Sequence, residues 1–137
     1  MKAFIDTSAL IKKYIQEKGA AQFDVLLERV SEITVAPIYL LEIYSALQRR
    51  LKEETLTREQ ASWLKSEIKK DYNFFHKVIW NENLEKKSLQ LIEKYHLKTL
   101  DSIQLAAGCL SETEVFMTSD RELFDIAKRE LKTASFV

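Results

Sequence analysis

The sequence predicts one globular domain with an α/β fold and a mostly parallel central sheet, and three observations support this. Short apolar runs alternate along the chain with longer stretches of helical periodicity, which is the pattern of repeated strand–helix units. Hydrophobic residues make up 46% and charged residues 31% of the 137 residues, an ordinary composition for a globular protein. The chain has only two glycines and one proline, so no flexible linker is expected and residues 1–137 are predicted to form one domain.

The first strands are predicted from two β-rich segments near the N-terminus. "KAFID" (2–6) is interpreted as the opening strand and "EITVA" (32–36) as the second strand. Between them a helix is expected from Ser8, as its N-terminal cap, to about Glu17.

A pair of helices is predicted in the middle of the chain. Pro37 suits the first turn of a helix, where its missing N–H is not needed, and that helix is expected to run to about Lys52. "TREQ" (57–60) has a threonine followed three residues later by a glutamine, the capping-box pattern that opens the next helix. Residues 49–75 are therefore predicted to form a helical hairpin.

The C-terminal half repeats the alternation of helices and strands. The predicted elements are a weak strand at 76–80, helices at 81–96 and 101–110, a strand at 114–118, a helix at 120–131 and a final strand at 133–137.

Charge and cysteine content do not favour any particular class of binding partner. Lys and Arg equal Asp and Glu at 21 each, so the net charge favours neither nucleic acid nor an anionic membrane. The single cysteine, Cys109, is expected to pack in the core. The N-terminus lacks the apolar run of a signal peptide, and no segment has the roughly 18 uninterrupted apolar residues of a membrane span. The protein is therefore predicted to be cytoplasmic, with no membrane partner.

Four acidic residues stand at unusual places. Asp6 ends the first predicted strand and Asp120 follows the strand at 114–118, and in open α/β sheets the ligand crevice lies outside such strand ends. Asp101 begins a predicted helix. Glu42 lies in the apolar segment "APIYLLEIYSAL" with no lysine or arginine three or four residues away, so its charge needs another compensating partner.

Each acid also has an explanation that involves no function. Asp101 could cap its helix, Asp120 could be a first-turn acid in the capping-box pattern "SDRE", Asp6 could be a solvated strand end, and Glu42 could face water. These explanations are less plausible together than separately. Four acids without a nearby basic partner are what Mg²⁺ or Mn²⁺ needs, because both cations prefer hard oxygen ligands. The sequence thus predicts a metal site.

The segments that carry these acids resemble the PIN domain family, and within it the small VapC-type toxins of toxin–antitoxin pairs. The matching segments are "FIDTSAL" (4–10), "LLEIYSALQRR" (40–50), "LKTLDSIQLAAG" (97–108) and "FMTSDRELF" (116–124). The resemblance covers essentially the whole chain, and four acids in matching contexts are more specific than any single motif.

The resemblance implies a fold, a site and an activity. The fold would be a three-layer α/β/α PIN-like arrangement with the helical hairpin as an insertion. The metal-binding and catalytic residues would be Asp6, Glu42, Asp101 and Asp120, supported by the hydroxyls of Thr118 and Ser8. The role of the nearby Glu122 stays open.

The implied activity is hydrolysis of RNA phosphodiesters by a Mg²⁺- or Mn²⁺-dependent endoribonuclease, the toxin of a toxin–antitoxin pair. Implied partners are RNA, a cognate antitoxin whose peptide segment lies over the active-site groove, and a second copy in a homodimer. The aromatic residues of "DYNFFHKVIW" (71–80) could serve a protein contact or belong to the core.

Basic residues near the predicted site are candidates for phosphate contacts with RNA: Lys12, Lys13, Arg49, Arg50 and Lys52. The main alternative function is a catalytically inactive PIN-like module that binds RNA or protein. A phosphotransferase with a strand-end aspartate as nucleophile fits less well. Ser8 occupies the position where a haloacid-dehalogenase-like enzyme needs a second aspartate, and the acidic pair of a receiver domain is missing.

Overall fold

The computed structural model describes all residues 1–137 and contains one five-stranded sheet. The strands are β1 (Lys2–Ile5), β2 (Glu32–Val35), β3 (His76–Lys77), β4 (Val115–Thr118) and β5 (Ala134–Phe136). Every neighbouring pair is parallel, and the spatial order is β3-β2-β1-β4-β5. The chain thus builds the sheet outward from β1 in both directions, which places a topological switch point between β1 and β4.

Seven α-helices and one 3₁₀ turn connect and cover these strands. They are α1 (Thr7–Leu10), the 3₁₀ turn Ile11–Lys13, α2 (Ala20–Leu27), α3 (Tyr39–Lys52), α4 (Arg58–Tyr72), α5 (Glu82–Tyr95), α6 (Thr99–Leu110) and α7 (Arg121–Glu130). The predicted α/β class and parallel sheet are confirmed, and α3 and α4 form the predicted helical pair. None of the helices has the length and apolar character needed to cross a membrane.

The sheet separates two hydrophobic cores, which gives the predicted three layers. Ala3 and Ile5 of β1 pack in the core with helices α1 to α4, whereas Phe4 between them packs with α5, α6 and α7. This alternation follows from the strand geometry, because successive side chains point to opposite faces of a sheet. On the second face the rings of Phe4 and Phe116 stack with their centroids 5.3 Å apart.

Local capping chemistry explains several helix starts. The Thr57 hydroxyl accepts a bond from the Gln60 backbone N–H at 3.1 Å, and the Gln60 side chain accepts one from the Thr57 N–H at 2.9 Å. The capping box predicted for residues 57–60 is therefore confirmed. Asn81 caps α5 in a similar way, accepting from the N–H of Leu84.

The structure corrects the predicted helices in three respects. The helix expected from Ser8 to Glu17 is instead the short α1 and the 3₁₀ turn, and Ser8 is not its cap because Asp6 occupies that position. Helix α2 was not predicted. It follows Gly19, which has a φ of 89° and no side chain to supply a capping signal.

The third correction concerns Asp101. Helix α6 begins at Thr99, and the residue in the capping position is Lys98. Asp101 is the third residue of the helix and makes no side-chain capping bond, so the alternative that it serves as an N-cap was wrong. Its carboxylate is free for another role.

Close packing of α6 against the sheet holds Asp101 in place. A Cβ on Gly108 would lie 2.5 Å from Cδ2 and 2.8 Å from Cε2 of the Phe116 ring, so only glycine fits there without movement of the ring. Residues 102–108 of the helix are buried without interruption. This rigid packing fixes the first turn of α6 beside the ends of β1 and β4.

Candidate active site

One cavity of about 420 Å³ lies at the carboxyl ends of β1 and β4, and all four predicted acids line it. Asp6 comes from the end of β1, Glu42 from α3, Asp101 from α6 and Asp120 from the start of α7. The structure thus brings together side chains that are spread over much of the chain. Their position matches the crevice that open parallel sheets form at a switch point.

Asp6 is held rigidly at the bottom of this cavity. Its side chain is almost completely buried, and its backbone N–H donates to the Met117 carbonyl at 2.9 Å. Its Oδ2 atom accepts hydrogen bonds from the hydroxyls of Ser8 at 2.5 Å and Thr118 at 2.7 Å. The two hydroxyls named in the sequence analysis therefore contact the first acid directly.

The carboxyl group of Asp6 is difficult to ionise. Burial raises its pKa from 3.8 to about 6, and the charges of Glu42 and Asp120 add to this effect, whereas the two hydroxyl donors oppose it. A bound cation would favour the ionised form.

The same hydroxyls connect the two loops that carry the acids. Ser8 Oγ accepts a bond from the Ser119 backbone N–H at 3.0 Å, and Thr118 Oγ1 accepts one from the Asp120 N–H at 3.1 Å. The loop after β1 is thereby joined to the loop after β4. The spacing between Asp6 and Asp120 is set by these bonds rather than by the strands alone.

Glu42 has hydrogen-bond donors in place of the basic partner that the sequence lacks. Its Oε1 atom accepts bonds from the Thr7 hydroxyl at 3.0 Å and from the Gln104 amide at 2.6 Å. Partial burial raises its pKa, the two donors lower it, and the charge of Asp101 raises it further. Sequence reasoning missed Gln104, although a polar residue inside the apolar run of α6 was a signal that could have found it.

Asp101 and Asp120 complete the acidic lining in different ways. Asp101 accepts no hydrogen bond from the protein, and its pKa rises to about 6 through partial burial and through the charges of Asp120 and Asp6. Asp120 caps α7, because its Oδ1 accepts from the Leu123 N–H at 3.0 Å. It therefore serves as a cap and also lines the cavity. Exposed Glu122 is near enough for its charge to raise the pKa of Asp101 further.

The five candidate phosphate contacts have different surroundings. Arg49 and Arg50 line the acidic cavity, and Arg50 is ion-paired with Glu17 at 2.7 Å. Lys12 is buried and donates to Ser119 Oγ at 2.8 Å, while Lys13 pairs with Asp71 at 2.6 Å. Lys52 is exposed and does not line the cavity. The positions of the two arginines are therefore the most favourable for contact with a substrate in the cavity.

The donor set suits a hard divalent cation, although the ligands are not preassembled. The acids and hydroxyls around the cavity offer oxygen atoms, the ligand type that Mg²⁺ and Mn²⁺ prefer. No group of three or more His, Cys, Asp or Glu side chains is arranged to hold a metal ion. Because Mg²⁺ commonly uses one or two carboxylates together with water and substrate oxygens, the cavity fits such an ion without a complete protein cage.

Comparison with known proteins agrees with this architecture. A toxin–antitoxin complex from Klebsiella pneumoniae contains a chain with a TM-score of 0.68 and 20% identity, with 90% of each chain covered. VapBC2 from Rickettsia felis, in a crystal structure with a DNA fragment from its promoter, gives a TM-score of 0.68 at 10% identity, covering 100% of this chain and 99% of the other. No curated protein matches the sequence.

A family model described as the PIN domain matches residues 3–129, which include all four acids of the cavity. The chain therefore belongs to the PIN domain family.

Proposed function

We propose that this protein is a metal-dependent endoribonuclease, active with Mg²⁺ or Mn²⁺, and that it is the toxin of a cytoplasmic toxin–antitoxin pair. The observation that carries the proposal is the convergence of Asp6, Glu42, Asp101 and Asp120 on one cavity at the switch point of the sheet. PIN domains are generally nucleases, so membership in this family supports nuclease activity at the acidic cavity.

The four acidic side chains are proposed to bind the metal ion and to orient a water molecule. Asp6 and Asp101 are the proposed metal ligands of first choice, because Asp6 lies at the bottom of the cavity and Asp101 lines it with no hydrogen bond from the protein. Glu42 and Asp120 are proposed to bind the metal or to orient a water molecule. A bound Mg²⁺ or Mn²⁺ would lower the pKa of water and stabilise the charge that develops on a phosphodiester during displacement.

Binding of RNA is assigned to the cationic wall of the cavity. Arg49 makes no ion pair, so its guanidinium group is free to contact a phosphate, and Arg50 is held at the same wall by Glu17. The charge of Arg49 opposes the repulsion between the acids and an incoming phosphodiester, whereas the charge of Arg50 is balanced in large part by Glu17. The overall net charge of zero makes this local arrangement the main electrostatic attraction for a nucleic acid.

An antitoxin is the proposed protein partner. Of the two similar structures named above, one is described as a toxin–antitoxin complex and the other as VapBC2 bound to a DNA fragment from its promoter. A second cavity of about 680 Å³ adjoins the acidic one, shares Arg50 and Thr55 with it, and is lined by apolar Leu56, Trp63 and Leu64. An extended peptide lying across both cavities would cover the acids, which is how the antitoxin is proposed to inhibit the nuclease.

A homodimer is the proposed oligomeric state. Within the segment 71–80, Phe75 belongs to the core, but Phe74 is 85% exposed and Ile79 is 75% exposed. Such apolar exposure suits a protein contact. Light scattering of the wild type and of Phe74→Ser tests this proposal, and a wild-type protein that stays monomeric at every concentration contradicts it.

The nuclease proposal is tested by cleavage of a single-stranded RNA that carries a fluorophore and a quencher. We expect cleavage with Mg²⁺ or Mn²⁺, none in EDTA, and none by Asp6→Asn. The matched control is Asp24→Asn, which removes an exposed carboxylate on α2 that does not line the cavity and should leave the rate unchanged. Cleavage by Asp6→Asn at the wild-type rate would exclude the acidic cavity as the active site.

An inactive RNA-binding or protein-interaction module is the second candidate. The lack of a preassembled group of three ligands favours it. In that case the wild-type protein would bind the labelled RNA, or a partner protein, with equal affinity in Mg²⁺ and EDTA and would cleave nothing.

A further inference from the structure

We infer that Gln104 is a positioning residue, which holds the carboxylate of Glu42 in the orientation needed for a divalent cation. The inference rests on the proposed metal-dependent activity and deepens it. Gln104 itself does not line the acidic cavity and is 1% exposed, so it cannot contact a substrate. It acts only through the groups that its amide touches.

The amide nitrogen of Gln104 has two contacts on different elements of the fold. It donates to Glu42 Oε1 at 2.6 Å and to the Thr7 hydroxyl oxygen at 3.0 Å. The Thr7 hydroxyl in turn donates to the same Glu42 oxygen at 3.0 Å. Three side chains from α1, α3 and α6 thus form a closed ring of hydrogen bonds.

The ring orients the carboxylate. Both donors contact Oε1, whereas Oε2 accepts no hydrogen bond from the protein. Because Glu42 lines the cavity, the unbonded oxygen is the one left available to a ligand there. A glutamate on a helix surface would otherwise sample several rotamers. The two donors select one of them before any ligand arrives.

The orientation of the Gln104 amide leaves one of its buried polar atoms unpaired, which is energetically unfavourable. The oxygen of Gln104 is buried and has no hydrogen-bond partner. An ionised carboxylate can only accept, so the amide must turn its NH₂ group toward Glu42 and leave its own oxygen unpaired. Buried polar groups are normally paired, so an unpaired one requires an explanation, and a role at a functional site is one such explanation. The unpaired oxygen therefore favours a positioning role over a purely stabilising one.

The test measures Mn²⁺ binding by calorimetry, which does not depend on activity. The variant Gln104→Met keeps the approximate size of the side chain and removes both donated bonds, and residues that orient metal ligands typically contribute 10–100-fold to metal affinity. We expect the Kd of Mn²⁺ to increase about tenfold or more. The Mn²⁺ concentration that gives half-maximal RNA cleavage should rise by a similar factor.

The matched control is Ser102→Ala on the same helix. Ser102 is as buried as Gln104, but its hydroxyl donates to the Thr99 carbonyl and is not part of the ring. This variant should lower the melting temperature without changing the Kd of Mn²⁺. It separates a loss of helix packing from a loss of orientation at Glu42.

A second variant keeps the inference testable if Gln104→Met does not fold. Gln104→His can still donate a ring N–H toward Glu42, and its Kd should lie closer to that of the wild type. An unchanged Kd in Gln104→Met, or a change equal to that of Ser102→Ala, would overturn the positioning role. Absence of Mn²⁺ binding by the wild type would instead overturn the proposed metal site, and the positioning role with it.

Discussion

Replacement of Asp6 by asparagine should stabilise the metal-free protein at neutral pH while abolishing the proposed RNA cleavage. The side chain is 5% exposed, and its Oδ2 accepts bonds from the hydroxyls of Ser8 and Thr118. The amide oxygen of asparagine can occupy that position and accept both bonds. The substitution therefore removes the buried charge and leaves the hydrogen bonds in place.

The size of the effect follows from the pKa of Asp6. Its pKa is 3.8 in the unfolded chain and about 6 in the folded protein, and this difference of about 2.2 pKa units corresponds to about 3 kcal/mol at 1.36 kcal/mol each. For a chain of this length, 1 kcal/mol shifts the melting temperature by roughly 3–4 °C. Asp6→Asn should therefore melt about 10 °C above the wild type at pH 8 in EDTA.

The sign of the pH dependence distinguishes this cause from a general improvement in packing. Below about pH 3 Asp6 is mostly protonated in both the folded and unfolded states, so its burial carries no cost of ionisation. Between about pH 4 and 6 the unfolded chain ionises Asp6 while the folded wild type still holds the proton, so the wild type loses stability relative to the variant until the folded carboxyl group also ionises at about 6. The advantage of Asp6→Asn should thus be small at pH 4 and fully developed above pH 7.

Thermal melts followed by circular dichroism across this pH range measure the difference. Asp24→Asn, which changes an exposed carboxylate, should show no comparable pH-dependent gain. The reasoning is refuted if Asp6→Asn is no more stable than the wild type at pH 8, or if its advantage is the same at pH 4. Mg²⁺ should reduce the gap, because the cation stabilises only the protein that retains the carboxylate.

Three further outcomes are expected. Mg²⁺ or Mn²⁺ should raise the melting temperature of the wild type as the metal concentration increases. At a concentration one hundred times the Kd, the free energy of unfolding should rise by about 2.7 kcal/mol. Equal stabilisation of Asp101→Asn would show that the ions bind elsewhere. Without metal at pH 8, Asp101→Asn should gain less stability than Asp6→Asn, because the pKa of Asp101 is also raised but its carboxyl group is only half-buried and remains partly hydrated; it should cleave no RNA in the fluorescence assay. Gly108→Ala should lose about 1–3 kcal/mol in urea denaturation, because its Cβ would overlap the Phe116 ring; an unchanged midpoint would show that the ring moves aside at little cost.

The unpredicted features of the site share one physical cause. Gln104 lies 62 residues from Glu42 in sequence, and their contact exists only because α3 and α6 meet at the carboxyl ends of the strands. Lysine is usually a surface residue, yet Lys12 is buried and donates to Ser119 in the loop after β4. Neither contact has a local signature, because periodicity and capping patterns extend over only a few residues.

Local physical chemistry by itself determined the strands and most helices, through β-rich apolar runs, the capping box at 57–60 and the alternation of strands with helices. It also indicated the four acids, because an aspartate at a strand end and a glutamate in an apolar helix occupy unusual positions for a charge in any fold. The tertiary structure decided where the carboxylate groups of those acids lie and which of their oxygen atoms accept hydrogen bonds. Close packing of α6 at Gly108 places Asp101 beside the cavity, and helix α6 begins two residues before the predicted start, so that its acid is not a cap. Hydrogen bonds between α1, α3 and α6 decided the orientation of Glu42, since burial and donor geometry depend on contacts between segments that are distant in the chain.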